Sequence, residues 1–263
     1  MSGERDPLGR AFEVVAWMAD QDGVDFGVRQ VAEATGIPAA SVHRTLAALE
    51  RIGLLDRVGT SYAVGLELRR IGLRLAAGLN VDRIAAEPMA ELAQAADEQA
   101  FLCFLDLRRR SVMFGPTVEA SHALRYTIAP YRWEPLHAGA SCLGALAFVD
   151  PDDLDLLRRT GELEEVATRS ALNLAELDDA IRVAVARGCA VSVGRHTVGA
   201  VGVSAPVFDH LDRVMGSLML TIPEHRYDPL EEPRLAELVK IAADRVSWKL
   251  GSTRALLSEL GRR

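Results

Sequence analysis

Residues 28–53 read VRQVAEATGIPAASVHRTLAALERIG, and this stretch decides the fold of the first part of the chain. Val28, Val31, Ala32 and Thr35 recur at helical spacing, and Gly36 supplies a C-terminal cap. A second helix follows at once, in which Val42, Leu46, Leu49 and Ile52 form an i, i+4, i+7 stripe that stops at Gly53. Only a tight turn separates the two. Upstream, Asp6 is an N-cap with Pro7 in the first turn, and Leu8, Ala11, Phe12, Val15, Met18 and Ala19 supply the buried face of a further helix. The segment DQDGVDFG, residues 20–27, reads as a loop. Downstream, LLDRVGTSYAVG (54–65) alternates on either side of a Gly-Thr-Ser turn and predicts a two-stranded hairpin. Three helices followed by a hairpin describe a winged helix-turn-helix.

Working outward, LELRRIGLRLAAGLN (66–80) predicts a connecting helix with Leu66, Leu73 and Leu75 only partly opposed to Arg69, Arg70 and Arg74. A helix over about 82–97 precedes three extended runs, AFLCFLDL, VMFGPTVE and LRYTIAP, that read as a meander. After the loop EPLHAGASC (134–142) the pattern is helical through LGALAFV, DLDLLRR and AELDDAIRVAVARG. It is extended again through CAVSVG, AVGVSAPVF and RVMGSLMLTIP, and closes with a helix from about Pro229 to Leu250. The fold class expected is α+β, with a winged helix-turn-helix over 1–65, a linker helix over 66–80 and, over 81–263, a domain built on one antiparallel sheet.

Composition agrees with that organisation. The 263 residues are 49% hydrophobic and 5% aromatic, enough for a real core and without an uninterrupted membrane-spanning run. The start, MSGERDPLGR, lacks an apolar segment behind a basic one, so a cytoplasmic protein is expected. Cys103, Cys142 and Cys189 lie far apart, with no CxxC pair and no histidine at zinc-ligand spacing, so neither a metal nor a cofactor is expected. His122, His196, His210 and His225 read as surface or loop residues, and Arg108, Arg109 and Arg110 as a solvated turn.

In a helix-turn-helix the second helix enters the major groove, so its outward residues near the N-terminus are small or polar. With Val42, Leu46 and Leu49 facing inward, Ser41, His43 and Arg44 point outward or flank that face, beside the small Ala39, Ala40 and Ala47. Arg57 and the hairpin tip at Thr60 and Ser61 reach backbone or minor groove. Double-stranded operator DNA is the expected partner. Yet residues 1–80 carry nine Arg against ten acids, and the whole chain has a net charge of -7. A monomer of that charge holds DNA weakly, so a dimer reading two half-sites roughly 34 Å apart, or a multiple of it, is expected.

The stretches RAFEVVAWMAD, VRQVAEATGIPAASVHRTLAALERIGLLDR, SYAVGLELRRIG, EPLHAGASC with ALAF, and ARGCAVSVGRHTVGAVGVSAPVFD, taken in order and spacing, resemble the IclR family of transcriptional regulators. The resemblance implies a C-terminal GAF-like effector-binding domain, a homodimer or dimer of dimers, and more often a repressor than an activator. It places a small-molecule effector at Gly139, Ala140 and Ser141, facing Ser192, Gly202, Met219 and Thr221 on the strands. Ser192, Gly202 and Met219 stand where the family tends to place a carboxylate, a thiol and a hydroxyl, which implies a roomier and more apolar pocket. With Tyr131 and Trp133 upstream, the expected effector is an aromatic or hydrophobic acid, with Met219 as a core residue the other reading. Cys142 and Leu143 depart from the Gly-Lys often found there.

Two other function classes stand beside this one. Winged helices also serve as interaction modules without DNA. Cys142 opens a helix five residues after His137, the outline of a Cys-His hydrolase, although no orienting acid or oxyanion motif accompanies it.

Overall fold

The computed structural model describes residues 6–21, 24–78, 81–122, 126 and 128–254. The chain forms two compact units, residues 1–80 and 81–263.

In the first unit, α1 (Pro7–Ala19) begins where the Asp6 carboxylate accepts the Gly9 N–H at 2.6 Å. Its buried face is Val14 and Met18, flanked by Ala11, Val15 and Trp17. Leu8 and Phe12, expected in the core, are 68% and 69% exposed. Apolar residues run almost all round this helix, so spacing alone leaves its phase open. Residues expected as loop contain a short strand, β1 (Asp25–Gly27), which carries Phe26 into the core. There follow α2 (Val28–Thr35), closed by Gly36 at φ 67, where a side chain would be strained, and α3 (Ala39–Arg51). The hairpin is β2 (Leu55–Val58) and β3 (Ser61–Val64), and β1 pairs with β3, so the sheet order is β1-β3-β2. Val42, Leu46 and Leu49 are buried as their stripe predicts, whereas Ile52 lies past the end of α3 and is 64% exposed. The last element is α4 (Leu66–Gly78), on which Leu66, Leu73 and Leu75 are exposed.

The second unit is a six-stranded antiparallel sheet with helices on both faces. The chain runs α5 (Val81–Ala96), β4 (Gln99–Asp106), β5 (Ser111–Val118), β6 (Trp133–Pro135), α6 (Ala140–Leu146) and α7 (Pro151–Arg159). It continues through α8 (Glu162–Arg169), α9 (Leu174–Arg187), β7 (Ala190–Val193), β8 (Ala200–Phe208), β9 (Val214–Pro223) and α10 (Glu232–Lys249). The strand order is β6-β5-β4-β9-β8-β7. The third run of the expected meander, 124–130, has residues 124, 125 and 127 outside the described residues; its others, 126 and 128–130, are not in a strand, and β6 overlaps the start of the expected 134–142 loop.

The alternation of β8 sorts the two layers. Val201, Val203, Ala205 and Val207 pack with α5 and α10, burying branched side chains worth about 1.5–3 kcal/mol each. Gly202 and Ser204 face α6, and their small size lets that helix lie close to the sheet. The second core, on the α6 side, joins Phe101, Phe114, Leu136, Leu143 and Leu146 to α8 and α9. Among the described residues no helix is long and apolar enough to cross a membrane.

Candidate functional site

The second helix of the helix-turn-helix displays a polar row. His43 and Arg44 are exposed and Ser41 is half-buried, with Arg44 Nη2 donating to Ser41 Oγ at 3.0 Å. Their orientation follows from the burial of Val42 and Leu46 on the opposite side. On the hairpin, Arg57 and Thr60 are exposed and Ser61 is half-buried; Arg57 Nε donates to Gly59 O at 3.3 Å, and its guanidinium lies 5.8 Å from the Tyr62 ring centre. Two groups of donors thus project from the unit, one on α3 and one at the hairpin tip.

The strand positions expected to face a ligand do come together. Ser192, Gly202 and Thr221 form one rung across β7, β8 and β9, and Met219 lies two residues along β9, on the same face. With Ala140 and Ser141 of α6 they line a cavity of about 30 Å³. Gly139 does not line it. Phe114, Ile128 and Ala200 complete the apolar wall, and Arg195, His196 and Thr197 enter from the β7–β8 connection. Sequence reasoning missed that connection, because a polar loop between strands carries no periodic signal.

Three expectations about the pocket are corrected. Gly202 opens no extra space: a Cβ placed on it would lie 2.7 Å from Ala140 Cβ and 3.5 Å from Met219 Cε, so the helix and the methionine already fill that position. The Gly139 and Ala140 N–H groups are not free for a carboxylate, since they donate to His137 Nδ1 at 3.0 Å and Ser192 Oγ at 2.7 Å. Tyr131 and Trp133 lie outside it: the Tyr131 hydroxyl donates to Asp82 at 2.7 Å, and Trp133 sits under the Arg109 guanidinium at 5.4 Å. Met219 serves both of its readings, lining the cavity while buried in the core around Phe101.

Serines from three strands seat α6. Besides Ser192, Ser204 Oγ donates to Ala140 O and Ser217 Oγ to Ser141 O, each at 2.6 Å. Thr221 is 5% exposed, and its hydroxyl has no partner among the described residues. A buried hydroxyl left unpaired costs about 1–3 kcal/mol, which a ligand oxygen at this point would recover.

His196, exposed in a loop as expected, also lines the pocket, stacks on His137 with ring centres 4.1 Å apart and meets Glu134 at 2.7 Å. The ligand atoms of Glu134, His137 and His196 lie within 4.8 Å of one another, a grouping that could hold a metal ion. The His137 geometry argues against it. Its Nδ1 accepts the Gly139 N–H, so the proton of the neutral ring sits on Nε2 and blocks that nitrogen as a ligand. Burial, with smaller contributions from His196 and Arg169, pushes the His137 pKa down to about 3 and keeps the ring neutral. Cys142 is fully buried, and burial pushes its thiol up to about 12, the opposite of an armed nucleophile.

The helix-turn-helix and the hairpin that follows it define the winged-helix class, to which many DNA-binding domains belong. The comparisons supply the family. Residues 7–59 match the IclR helix-turn-helix domain, and residues 74–248 match the bacterial transcriptional regulator IclR C-terminal domain. The chain belongs to the IclR family of transcriptional regulators. It is 29% identical over 220 residues to the HTH-type transcriptional regulator KipR of Bacillus subtilis, covering 83% of this chain and 87% of that one. It is 20% identical to the transcriptional repressor IclR of Escherichia coli over 96% of this chain and 93% of that protein. An IclR homologue from Microbacterium hydrocarbonoxydans, solved with 4-hydroxybenzoate, superposes with a TM-score of 0.76 at 20% identity over 93% of this chain and 99% of that one.

Proposed function

We propose that the protein is a cytoplasmic repressor that binds operator DNA as a homodimer or dimer of dimers and changes its affinity when a small organic acid occupies the second unit. In this reading residues 1–65 are the DNA-binding domain, 66–80 the linker helix and 81–263 the effector-binding domain. Ser41, His43 and Arg44 enter the major groove, and Arg57, Thr60 and Ser61 contact the backbone or minor groove. Ala140, Ser141, Ser192, Gly202, Met219 and Thr221 hold the effector, and Gly139 sets the start of α6. The observation that carries the reading is the exposed polar row of α3 over a stripe of buried Val42, Leu46 and Leu49.

Leu8 and Phe12 on α1 and Leu66, Leu73 and Leu75 on α4 are each at least 66% exposed, apolar side chains that a second copy would cover. The ligand seen in the Microbacterium homologue supports an acid as effector. Selection from a pool of randomised duplexes tests the reading. The expected winners carry two related half-sites spaced by roughly 34 Å or a multiple of it. A pool that does not enrich, or that enriches single sites, contradicts it.

A further inference from the structure

The cavity between α6 and the sheet has one permanently charged lining residue, Arg195, and no carboxylate lines it among the described residues. Arg195 forms no ion pair among them either; its Nη1 only reaches Ser170 O at 3.4 Å and Ala171 O at 3.3 Å, both long. Thr221 and Ser192 line the same cavity. The hydroxyl of Thr221 is buried and unpartnered, and that of Ser192 accepts from the Ala140 N–H, which leaves its own proton to donate. A cation with two hydroxyl donors matches an oxyanion, and about 30 Å³ gives room for roughly two water-sized atoms, the two oxygens of a carboxylate.

The body of such a ligand has a place as well. Arg195 and Ser192 also border a neighbouring groove of about 700 Å³ along the edge strand β7, which Ala138, Leu143, Ala180 and Ala184 line with apolar surface. The acids on its rim are engaged elsewhere, Glu176 with the Asn173 N–H and Asp179 with Arg182. We infer that Arg195, with Thr221 and Ser192, reads the carboxylate of a monocarboxylic acid whose apolar body lies in the β7–α9 groove. This rests on the reading of the cavity as the effector site, and it assigns the recognition of charge to the β7–β8 connection rather than to the start of α6.

Calorimetry on the full-length protein with benzoate and octanoate, each beside its primary amide, tests the inference. At least one acid is expected to bind once per chain, with its amide at least tenfold weaker. Arg195→Met is expected to weaken the acid at least tenfold and leave the amide unchanged, while Arg108→Met, at an exposed turn, changes neither. Acid binding that survives Arg195→Met, or an amide as tight as its acid, overturns the inference. If Thr221→Val still weakens the ligand in that case, the pocket reading stands without it. Absence of binding by all four compounds overturns both.

Discussion

Arg44 carries a prediction of its own. Its guanidinium is exposed on α3, away from the buried Val42 and Leu46, and donates to Ser41 Oγ at 3.0 Å, a support that steers it without occupying all of its donors. Arg44→Ala is expected to weaken binding to the selected operator by about 1–3 kcal/mol and to weaken binding to a scrambled duplex less. Equal operator affinity in an anisotropy titration removes Arg44 from the contacts. His137 makes a different prediction, since its pKa is lowered from 6.5 to about 3 in the folded protein. Between those values the unfolded chain takes up a proton that the native chain refuses. Stability is therefore fully present above about pH 6.5 and falls with pH, by at most ~1.4 kcal/mol per unit for one group. Urea midpoints across that window are expected to fall less steeply in His137→Asn; identical slopes contradict the assignment.

At the scale of elements, α6 is the piece whose position matters most, because the serines of β7, β8 and β9 and the bare Cα of Gly202 set it. Gly202→Ala places a methyl 2.7 Å from Ala140 Cβ, so α6 must move. The expected cost is about 1–3 kcal/mol of overpacking, read as a lower urea midpoint together with weakened acid binding. A variant of unchanged stability and affinity shows that the seat has slack. Elements differ in how far they are legible in the sequence. The stripe Val42, Leu46 and Leu49 fixed the phase of α3, because polar and small residues fill the rest of that helix. On α1, Trp17 and Phe12 lie on different faces and both are apolar, so the phase was settled by packing against Phe26, 5.4 Å from Trp17, which no local pattern contains. The strand β1 is only Asp25–Gly27, too short for alternation to register. Resemblance located the rung Ser192, Gly202 and Thr221, but reading Gly202 as added space failed because the space depends on what crosses it, here Ala140. Arg195 and His196 joined the site through a loop whose path is tertiary.

For the whole molecule, charge sets the terms. A net charge of -7 opposes DNA overall, so in the proposed function affinity comes from a few well-placed arginines, used twice by the proposed dimer. The apolar side chains left exposed on α1 and α4 are the surface proposed for that dimer, and coupling would then require only that the proposed acid effector favour one arrangement of the pair. The most direct test is anisotropy binding of the purified protein to the DNA upstream of its own gene and to a scrambled duplex of equal length, across a salt series. The account predicts markedly tighter binding to the upstream DNA, with a salt slope that corresponds to several released counterions. Equal affinity for the two duplexes at every salt concentration would contradict sequence-specific DNA reading at that promoter.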